Sequence, residues 1–149
     1  MPASENPRQR VLGMDVGARR IGLAVSDPLG ITAQGIETLE RRNKRSDFGI
    51  LERVIKRYEV GEIVVGYPLK MSGDTGSQSD KMTAFADELR RRFALPVHLW
   101  DERLTTAEAH RILDETAMST KRRSEVIDQM AAVLILQSFL EARSQERNG

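Results

Sequence analysis

The chain contains no cysteine among its 149 residues, which excludes disulfide bonds, thiolate zinc sites and catalysis by a thiol. Long apolar runs are absent as well, because the longest, Ala131 to Leu136, is far too short to span a bilayer. The segment Met1 to Gln9 is polar, carries two prolines and lacks the apolar stretch of a signal peptide. These absences favour a reducing compartment, and we expect a cytoplasmic protein with no membrane partner.

No excess charge of one sign is present either. The formal net charge is +1, and a content of 40% hydrophobic and 30% charged residues is typical of a soluble globular protein. Neither an internal repeat nor an interdomain linker is visible, so we expect one domain over residues 1–149, ordered from about 10 to 143, with flexible termini. Basic residues do cluster locally, but each cluster taken alone is interpreted as solvated surface charge. These clusters are Arg41-Arg42-Asn43-Lys44-Arg45, Arg90-Arg91-Arg92 and Lys121-Arg122-Arg123.

Hydrophobic periodicity predicts the fold class. Three strands follow one another with short connections, at about Val11 to Asp15, Arg20 to Asp27 and Gln34 to Arg41, which favours an antiparallel meander. Helices and strands then alternate, with helices over Asp47 to Tyr58, Ser79 to Phe93, Thr105 to Thr116 and Ser124 to Arg143, and strands over Glu62 to Gly66 and Val97 to Trp100. This order predicts an α/β fold, in which a mixed five-stranded sheet is flanked by helices. The first, fourth and fifth strands should be parallel neighbours.

Acidic residues occur in apolar surroundings at three separated places. Asp15 ends the first strand, the pair Asp101-Glu102 follows the fifth strand, and Asp128 lies inside an apolar helix. A carboxylate beside a core costs free energy unless it is paired, hydrogen-bonded or bound to a cation. Because sites in such sheets form at the carboxyl ends of parallel strands, these acids should converge. A divalent metal is the simplest shared partner, and carboxylate oxygens suit Mg²⁺ or Mn²⁺.

This acid set predicts a two-metal nuclease, in which cations roughly 3.5–4 Å apart stabilise the attacking and leaving oxygens of a phosphodiester displacement. Asp15 would bridge the ions, and Glu102 and Asp128 would complete the catalytic and metal-binding set. Alternation puts Asp101 and Glu102 on opposite sides of a strand; we favour Glu102 and keep Asp101 as an outer candidate, since periodicity alone does not decide. Each acid also has a structural interpretation, as a turn residue, a surface charge or a helix-dipole partner.

Cationic residues close to these acids in the sequence are candidates for binding nucleic acid. Two arginines follow Asp15 after a glycine turn and could contact a phosphate through bidentate hydrogen bonds. Others lie in the loop after the fourth strand, directly after the acid pair, and one to two turns before Asp128. The alternative for each is an ordinary surface charge or salt bridge. The candidates are Arg19, Arg20, Lys70, Arg103, Lys121 and Arg122.

Several motifs together carry a family resemblance that runs from about Val11 to Leu140. They are Met14-Asp15-Val16-Gly17 with Arg20 to Asp27, Val65-Gly66-Tyr67-Pro68-Leu69 with Ser72-Gly73, Asp101-Glu102-Arg103-Leu104-Thr105-Thr106, and Ile127-Asp128-Gln129-Met130-Ala131-Ala132. In these motifs the chain resembles the YqgF/RuvX family. The resemblance implies a ribonuclease H-like fold and a nuclease acting in 5′-end maturation of pre-16S ribosomal RNA. It also implies that Asp15, Glu102 and Asp128 are the counterparts of the catalytic acids of that fold. Gln129 stands where many relatives carry serine, a departure that removes no ligand.

Other functions remain open from the sequence. Family members have been called Holliday junction resolvase homologues, so branched DNA is an alternative substrate to structured RNA. A noncatalytic RNA-binding factor that acts on ribosomal precursor particles is a second alternative. Nucleotide phosphotransfer ranks last, because the two-domain ATPases and sugar kinases that share an Asp-x-Gly motif are too large for a chain of 149 residues. The oligomeric state, monomer or homodimer, is likewise left open.

Overall fold

The computed structural model describes residues 10–67, 76–101 and 120–148. The elements are β1 (Arg10–Val16), β2 (Arg20–Ser26), β3 (Ala33–Glu40), α1 (Lys44–Arg57), β4 (Val60–Tyr67), α2 (Gly76–Phe93), β5 (Val97–Asp101) and α3 (Thr120–Asn148). The strands form one five-stranded sheet in the order β3-β2-β1-β4-β5. Strands β1 to β3 pair antiparallel, whereas β1 with β4 and β4 with β5 pair parallel. The mixed sheet predicted from the sequence is confirmed, and the predicted helix from Thr105 to Thr116 lies outside the described residues.

The sheet separates two apolar layers. Alternate residues of the strands, such as Leu12, Met14 and Val65, face a layer that includes Phe48 and Leu51 of α1. The other layer is built from α3, in which Ala132, Ile135 and Leu136 are fully buried against residues such as Val11 and Val64 of the sheet. Because successive strand residues point to opposite faces, the odd-numbered residues of β1 face α3.

Local capping fixes the start of α1. The side chain of Asn43 accepts a hydrogen bond from the backbone nitrogen of Ser46 at 2.8 Å, which satisfies one of the free donors of the first helical turn. The buried carboxylate of Asp47 accepts a further hydrogen bond, from the backbone nitrogen of Arg42 at 3.0 Å. These bonds hold the segment between β3 and α1 in place.

The final helix is longer than the sequence predicted. Helix α3 runs over Thr120–Asn148, whereas the sequence predicted a helix from about Ser124 to Arg143, so the helix extends beyond the predicted range at both ends. The residues after Arg143 are polar, but glutamine, glutamate and arginine are good helix formers and continue the helix. In the described part of the chain, no helix combines the length and apolar character needed to cross a membrane.

Candidate active site

Asp15 lies on the central strand, level with the carboxyl ends of its parallel neighbours. In the sheet it is paired with Gly22 of β2 on one side and with Gly66 of β4 on the other. Gly66 is in turn level with Trp100 of β5. The three parallel strands therefore end in one row, and the two glycines leave the space on both sides of Asp15 free of neighbouring side chains.

Helix α3 crosses the meander in close contact with its backbone. A β-carbon added at Gly22 would lie only 1.9 Å from the carbonyl oxygen of Asp128, and one at Gly13 would lie 2.8 Å from the β-carbon of Leu136. At Gly35 the nearest atom would be the amide oxygen of Gln129, at 3.3 Å. The helix can approach this closely only because these strand positions have no side chain. Since Gly22 is also the ladder partner of Asp15, the contact brings Asp128 beside Asp15.

The carboxyl group of Asp15 is poorly solvated and faces a second negative charge. Burial raises the pKa of Asp15, and the charge of Asp128 raises it further, to about 7. Within residues 10–67, 76–101 and 120–148, no hydrogen bond or ion pair to this carboxyl group offsets the cost of ionising it. Two neighbouring carboxylates with oxygen donors only are a set that fits a hard divalent cation such as Mg²⁺ or Mn²⁺.

Asp128 is held by an arginine of the meander. The Nε atom of Arg20 donates a hydrogen bond to Oδ2 of Asp128 at 2.6 Å, and the two side chains are 32% and 20% exposed. This hydrogen bond raises the pKa of Arg20 above its ordinary value. A second link lies one turn away, where Oγ1 of Thr38 donates to the carbonyl oxygen of Glu125 at 2.9 Å. In this structure Arg20 therefore orients an acid of the site.

The remaining predicted residues are placed as follows. Arg19 is exposed in the turn between β1 and β2, and Arg122 is exposed near the start of α3. The positions of Glu102, Lys70 and Arg103, and the side chain of Lys121, lie outside the described residues, as does the side chain of Asp101. Among the residues that the structure describes, no group of three or more acids and histidines able to hold a metal ion is formed. The described part of the site is the pair Asp15 and Asp128.

One residue near the site was interpreted from the sequence as surface charge only. Nη1 of Arg41 donates a hydrogen bond to the carbonyl oxygen of Gly17 at 2.7 Å, so this side chain binds the turn that follows Asp15. The backbone nitrogen of Arg41 also donates to the carbonyl oxygen of Arg19, at 2.8 Å. Nothing in the local sequence indicates this contact, because it depends on the pairing of β3 with β2. The small-residue face of β2, which carries Gly22, Ala24 and Ser26, is visible in the sequence, but the close approach of α3 to it was not predicted.

The sequence is similar to those of known proteins. A family model described as "RuvX: Holliday junction resolvase" matches residues 9–142. A protein of Koribacter versatilis is 57% identical over 138 residues, with 93% of this chain and 90% of that protein covered. A protein of Moorella thermoacetica is 49% identical over 136 residues, with 91% and 97% covered. Both carry the name "Putative pre-16S rRNA nuclease".

The fold is also similar to that of a solved structure. RuvC of Thermus thermophilus, in complex with a Holliday junction substrate, superposes with a TM-score of 0.56 at 14% identity, covering 92% of this chain and 96% of that one. At this level of identity the likeness concerns the fold alone, which is ribonuclease H-like as the sequence resemblance implied.

Proposed function

The chain belongs to the RuvX family, and from that premise we propose that it is a metal-dependent nuclease that hydrolyses phosphodiester bonds in 5′-end processing of pre-16S ribosomal RNA. The names of two relatives that match it over at least 90% of their own lengths support this substrate. The same function supports the expectation that the protein works in the cytoplasm, on ribosomal precursor particles.

The observation that carries the proposal is the juxtaposition of Asp15 and Asp128. These residues are separated by more than a hundred positions, yet backbone contact at Gly22 brings Asp128 next to the partly buried carboxyl group of Asp15. The ion pair with Arg20 gives Asp128 a structural role, but Asp15 has no such compensating partner among the described residues, and burial together with the charge of Asp128 makes its ionisation costly. A pair of acids that lowers the stability of the folded protein is expected at a site that binds a cation.

Glu102 is proposed as the third acid. On β5, His98 and Trp100 belong to the face covered by α3, where both rings contact Phe139 at centroid distances of 5.3 and 5.4 Å. Val97 and Leu99 belong to the opposite face, with the layer formed by α1 and α2. Glu102 itself lies outside the described residues, and sequence parity alone assigns it to the side of Asp15 and Asp128, because its number is even like those of His98 and Trp100. This favours Glu102 over Asp101 as the direct ligand.

In the proposed mechanism, Asp15, Glu102 and Asp128 hold Mg²⁺ or Mn²⁺ through their carboxylate oxygens. Cations bound there would supply an activated water and would stabilise the negative charge on the attacking and leaving oxygens. Asp15 must lose its proton to become a ligand, and a pKa of about 7 keeps that proton available for release near neutral pH. Arg20 fixes the direction of the Asp128 carboxylate, so less conformational entropy is lost when the site assembles.

The proposal assigns phosphate binding to the remaining cations. Arg19 and Arg122 are exposed on the turn after β1 and near the start of α3. Lys70, Arg103 and Lys121 are added on the sequence argument alone. Contacts of this kind position a substrate without reading its bases, so they suit a nuclease whose specificity depends on RNA structure.

The test compares the wild type with Asp15→Asn on a transcript that spans the 5′ boundary of 16S ribosomal RNA, in Mg²⁺, in Mn²⁺ and in EDTA. We expect cleavage that requires the metal and falls by about 10³-fold or more in the variant. Asp80→Asn is the matched control, because Asp80 is an exposed aspartate of α2, and it should cleave like the wild type. Metal-independent cleavage, or full activity of Asp15→Asn, would contradict the mechanism.

Branched DNA is the second candidate substrate, favoured by the description of the matching family model as a Holliday junction resolvase. The same purified proteins are therefore assayed on a four-way DNA junction. A resolvase cuts two strands symmetrically and needs paired active sites, so a resolving activity predicts a homodimer. Cleavage of the junction in preference to the transcript would identify branched DNA, and not RNA, as the substrate. The proposed role of the acidic residues would be unchanged.

A further inference from the structure

A second cleft lies close to the acid site, where α1 begins and α2 passes the end of β1. Its volume is about 530 Å³. The lining comes from Val16 at the end of β1 and the turn after it, from residues 41–44 before and at the start of α1, from Asp47 and Phe48 of α1, and from Lys81, Met82 and Phe85 of α2. No residue assigned above to the catalytic set lines it.

The charges around this cleft are unbalanced. Its lining contains four cationic side chains, which are Arg41, Arg42, Lys44 and Lys81, and all four residues are exposed. The acid of the lining is Asp47, which is only 6% exposed and accepts a hydrogen bond from the backbone of Arg42. Nζ of Lys44 also lies 3.6 Å from Oε1 of Glu88. Arg91 and Arg92 of α2 form ion pairs with the same carboxylate. The cleft therefore carries positive potential and favours an anion.

Arg41 is held rigidly at the edge of the cleft. Its Nη1 donates to the carbonyl oxygen of Gly17 at 2.7 Å, and its guanidinium carbon lies 5.8 Å from the centre of the Phe85 ring. A guanidinium group has five N–H donors in a planar fork, so one hydrogen bond to Gly17 leaves others for a ligand. An arginine that is already ordered loses little entropy when it binds a phosphate.

The cleft is close enough to the acid site to contact the same polynucleotide. Successive Cα atoms are 3.8 Å apart, so the Cα atom of Ala18 is at most about 11 Å from that of Asp15. We propose that this cleft binds the phosphodiester backbone of the RNA substrate beside the bond that is cleaved, with Arg41, Arg42, Lys44 and Lys81 as phosphate-binding residues. This inference rests on the proposed nuclease function and adds a binding site to it.

The lining favours the sugar-phosphate backbone over the bases. Phe48 is only 5% exposed, and the ring of Phe85 is covered by Arg41, so the cleft does not present an open aromatic face for base stacking. Contacts to phosphates are independent of base sequence and depend strongly on salt, which gives the proposal a direct measurement.

The test measures binding of a fluorescently labelled single-stranded RNA of about 16 nucleotides by anisotropy, in EDTA, between about 50 and 200 mM salt. The variant is Arg42→Ala with Lys81→Ala, which removes two cations of the cleft. The control is Arg53→Ala with Lys56→Ala, which removes two exposed cations of α1. Lys56 lies twelve residues beyond Lys44 along α1, a distance of about 18 Å in a helix.

For single strands, each lost phosphate contact lowers the slope of log K against log salt by about 0.7. The cleft variant should therefore lose about 1.4 from this slope and bind about 10-fold more weakly at low salt. The control pair should bind like the wild type, and Arg42→Lys with Lys81→Arg should retain the slope. Equal losses in the cleft and control variants, or an unchanged slope in the cleft variant, would overturn the proposal.

Binding in EDTA does not require the acid set, so the outcomes for cleft and catalysis are separable. A wild type that binds the RNA with the expected slope but cleaves nothing would refute the nuclease function and leave the cleft as a binding site. A wild type that fails to bind the RNA, or that binds polyglutamate as tightly, would refute the assignment of the cleft to nucleic acid.

Discussion

Gly22 and Asp128 are in backbone contact: a β-carbon at Gly22 would lie 1.9 Å from the carbonyl oxygen of Asp128 and 2.4 Å from its carbonyl carbon. Gly22 is at the same time the antiparallel ladder partner of Asp15. One position without a side chain thus determines how closely the helix and the central strand bring their carboxyl groups together. The separation of the two acids is a consequence of packing between α3 and β2.

Replacing Gly22 by alanine should therefore damage both the fold and the site. Backbone atoms cannot move aside as a flexible side chain can, so α3 must shift away from the sheet. Overpacking of this kind costs about 1–3 kcal/mol or more in the free energy of unfolding, which urea denaturation measures. Cleavage by the folded fraction should fall as well, because the shift carries Asp128 away from Asp15.

Gly49→Ala is the matched control. Gly49 lies inside α1, and a β-carbon there would meet no atom within 4 Å. Alanine is favoured over glycine in a helix interior by roughly 0.5–1 kcal/mol, so this variant should be slightly more stable than the wild type, with unchanged activity. If Gly22→Ala and Gly49→Ala both unfolded at the same urea concentration as the wild type, the close contact at Gly22 would be refuted.

The strands and their order were predictable because the signals are local. Apolar alternation marked β1 and β2, short connections indicated the meander, and the carboxyl-end rule indicated that Asp15 lies at a functional edge. The sequence predicted that Asp15 and Asp128 lie in one site, but not how closely they approach each other. Their closeness depends on glycines of three strands that let α3 approach, and a one-dimensional pattern does not contain that packing.

The roles of two arginines show where sequence reasoning ends. Arg20 was predicted to contact a phosphate, which the structure does not test, and the bond from its Nε to Asp128, 108 positions away, was not predicted. Arg41 was interpreted as surface charge, although its side chain binds the turn at Gly17. Long flexible cations can reach many partners, so their choice is decided by tertiary contacts that sequence spacing does not reveal.

The pKa of Asp15 predicts how the stability of the metal-free protein changes with pH. This pKa is raised from 3.8 to about 7 in the folded protein, so between these values the folded state keeps a proton that the unfolded state releases. Stability must therefore fall as the pH rises from about 4 to about 7, and this loss levels off above that range. Asp15→Asn carries no such proton and should become the more stable protein, by on the order of 2–4 kcal/mol near pH 8.

The comparison requires urea denaturation of both proteins in EDTA, at about pH 4.5 and pH 8. A stability difference that does not grow with pH would show that Asp15 ionises normally. Adding Mn²⁺ at pH 8 should stabilise the wild type selectively, because only the wild type retains the full set of proposed ligands.

The pKa of Glu62 predicts that stability changes with pH in the opposite direction. Burial alone would raise the pKa of Glu62, but hydrogen bonds and charges from Arg143 and His98 together lower it below its ordinary value. Nε2 of His98 lies 2.6 Å from Oε2 of Glu62, and Nη2 of Arg143 donates to the same oxygen. A depressed carboxyl pKa contributes stability that is present above the unfolded value of about 4.5 and is lost as the pH falls below it.

Glu62→Gln should accordingly destabilise the protein by about 1–2 kcal/mol at pH 7, a typical effect for a hydrogen-bonded, partly buried charge. The difference from the wild type should shrink as the pH is lowered below about 4.5, which urea denaturation at pH 7 and at successively lower pH values would detect. Glu52→Gln is a suitable control, because the Glu52 side chain is 53% exposed in its pair with Lys56. A destabilisation of Glu62→Gln that stayed constant with pH would mean that lost packing, and not charge, is responsible.

Arg20 and Arg19 are neighbours with different predicted effects on binding. Arg20 holds Asp128 through a 2.6 Å hydrogen bond, so Arg20→Ala should weaken Mn²⁺ binding by about 10–100-fold, as expected when the partner of a metal ligand is lost. Arg19 is exposed and makes no side-chain contact of this kind among the described residues, so Arg19→Ala should leave Mn²⁺ affinity unchanged and weaken RNA binding instead. Calorimetric titration with Mn²⁺ and anisotropy with labelled RNA in EDTA separate the two effects. Equal Mn²⁺ affinities in Arg20→Ala and the wild type would refute the orienting role.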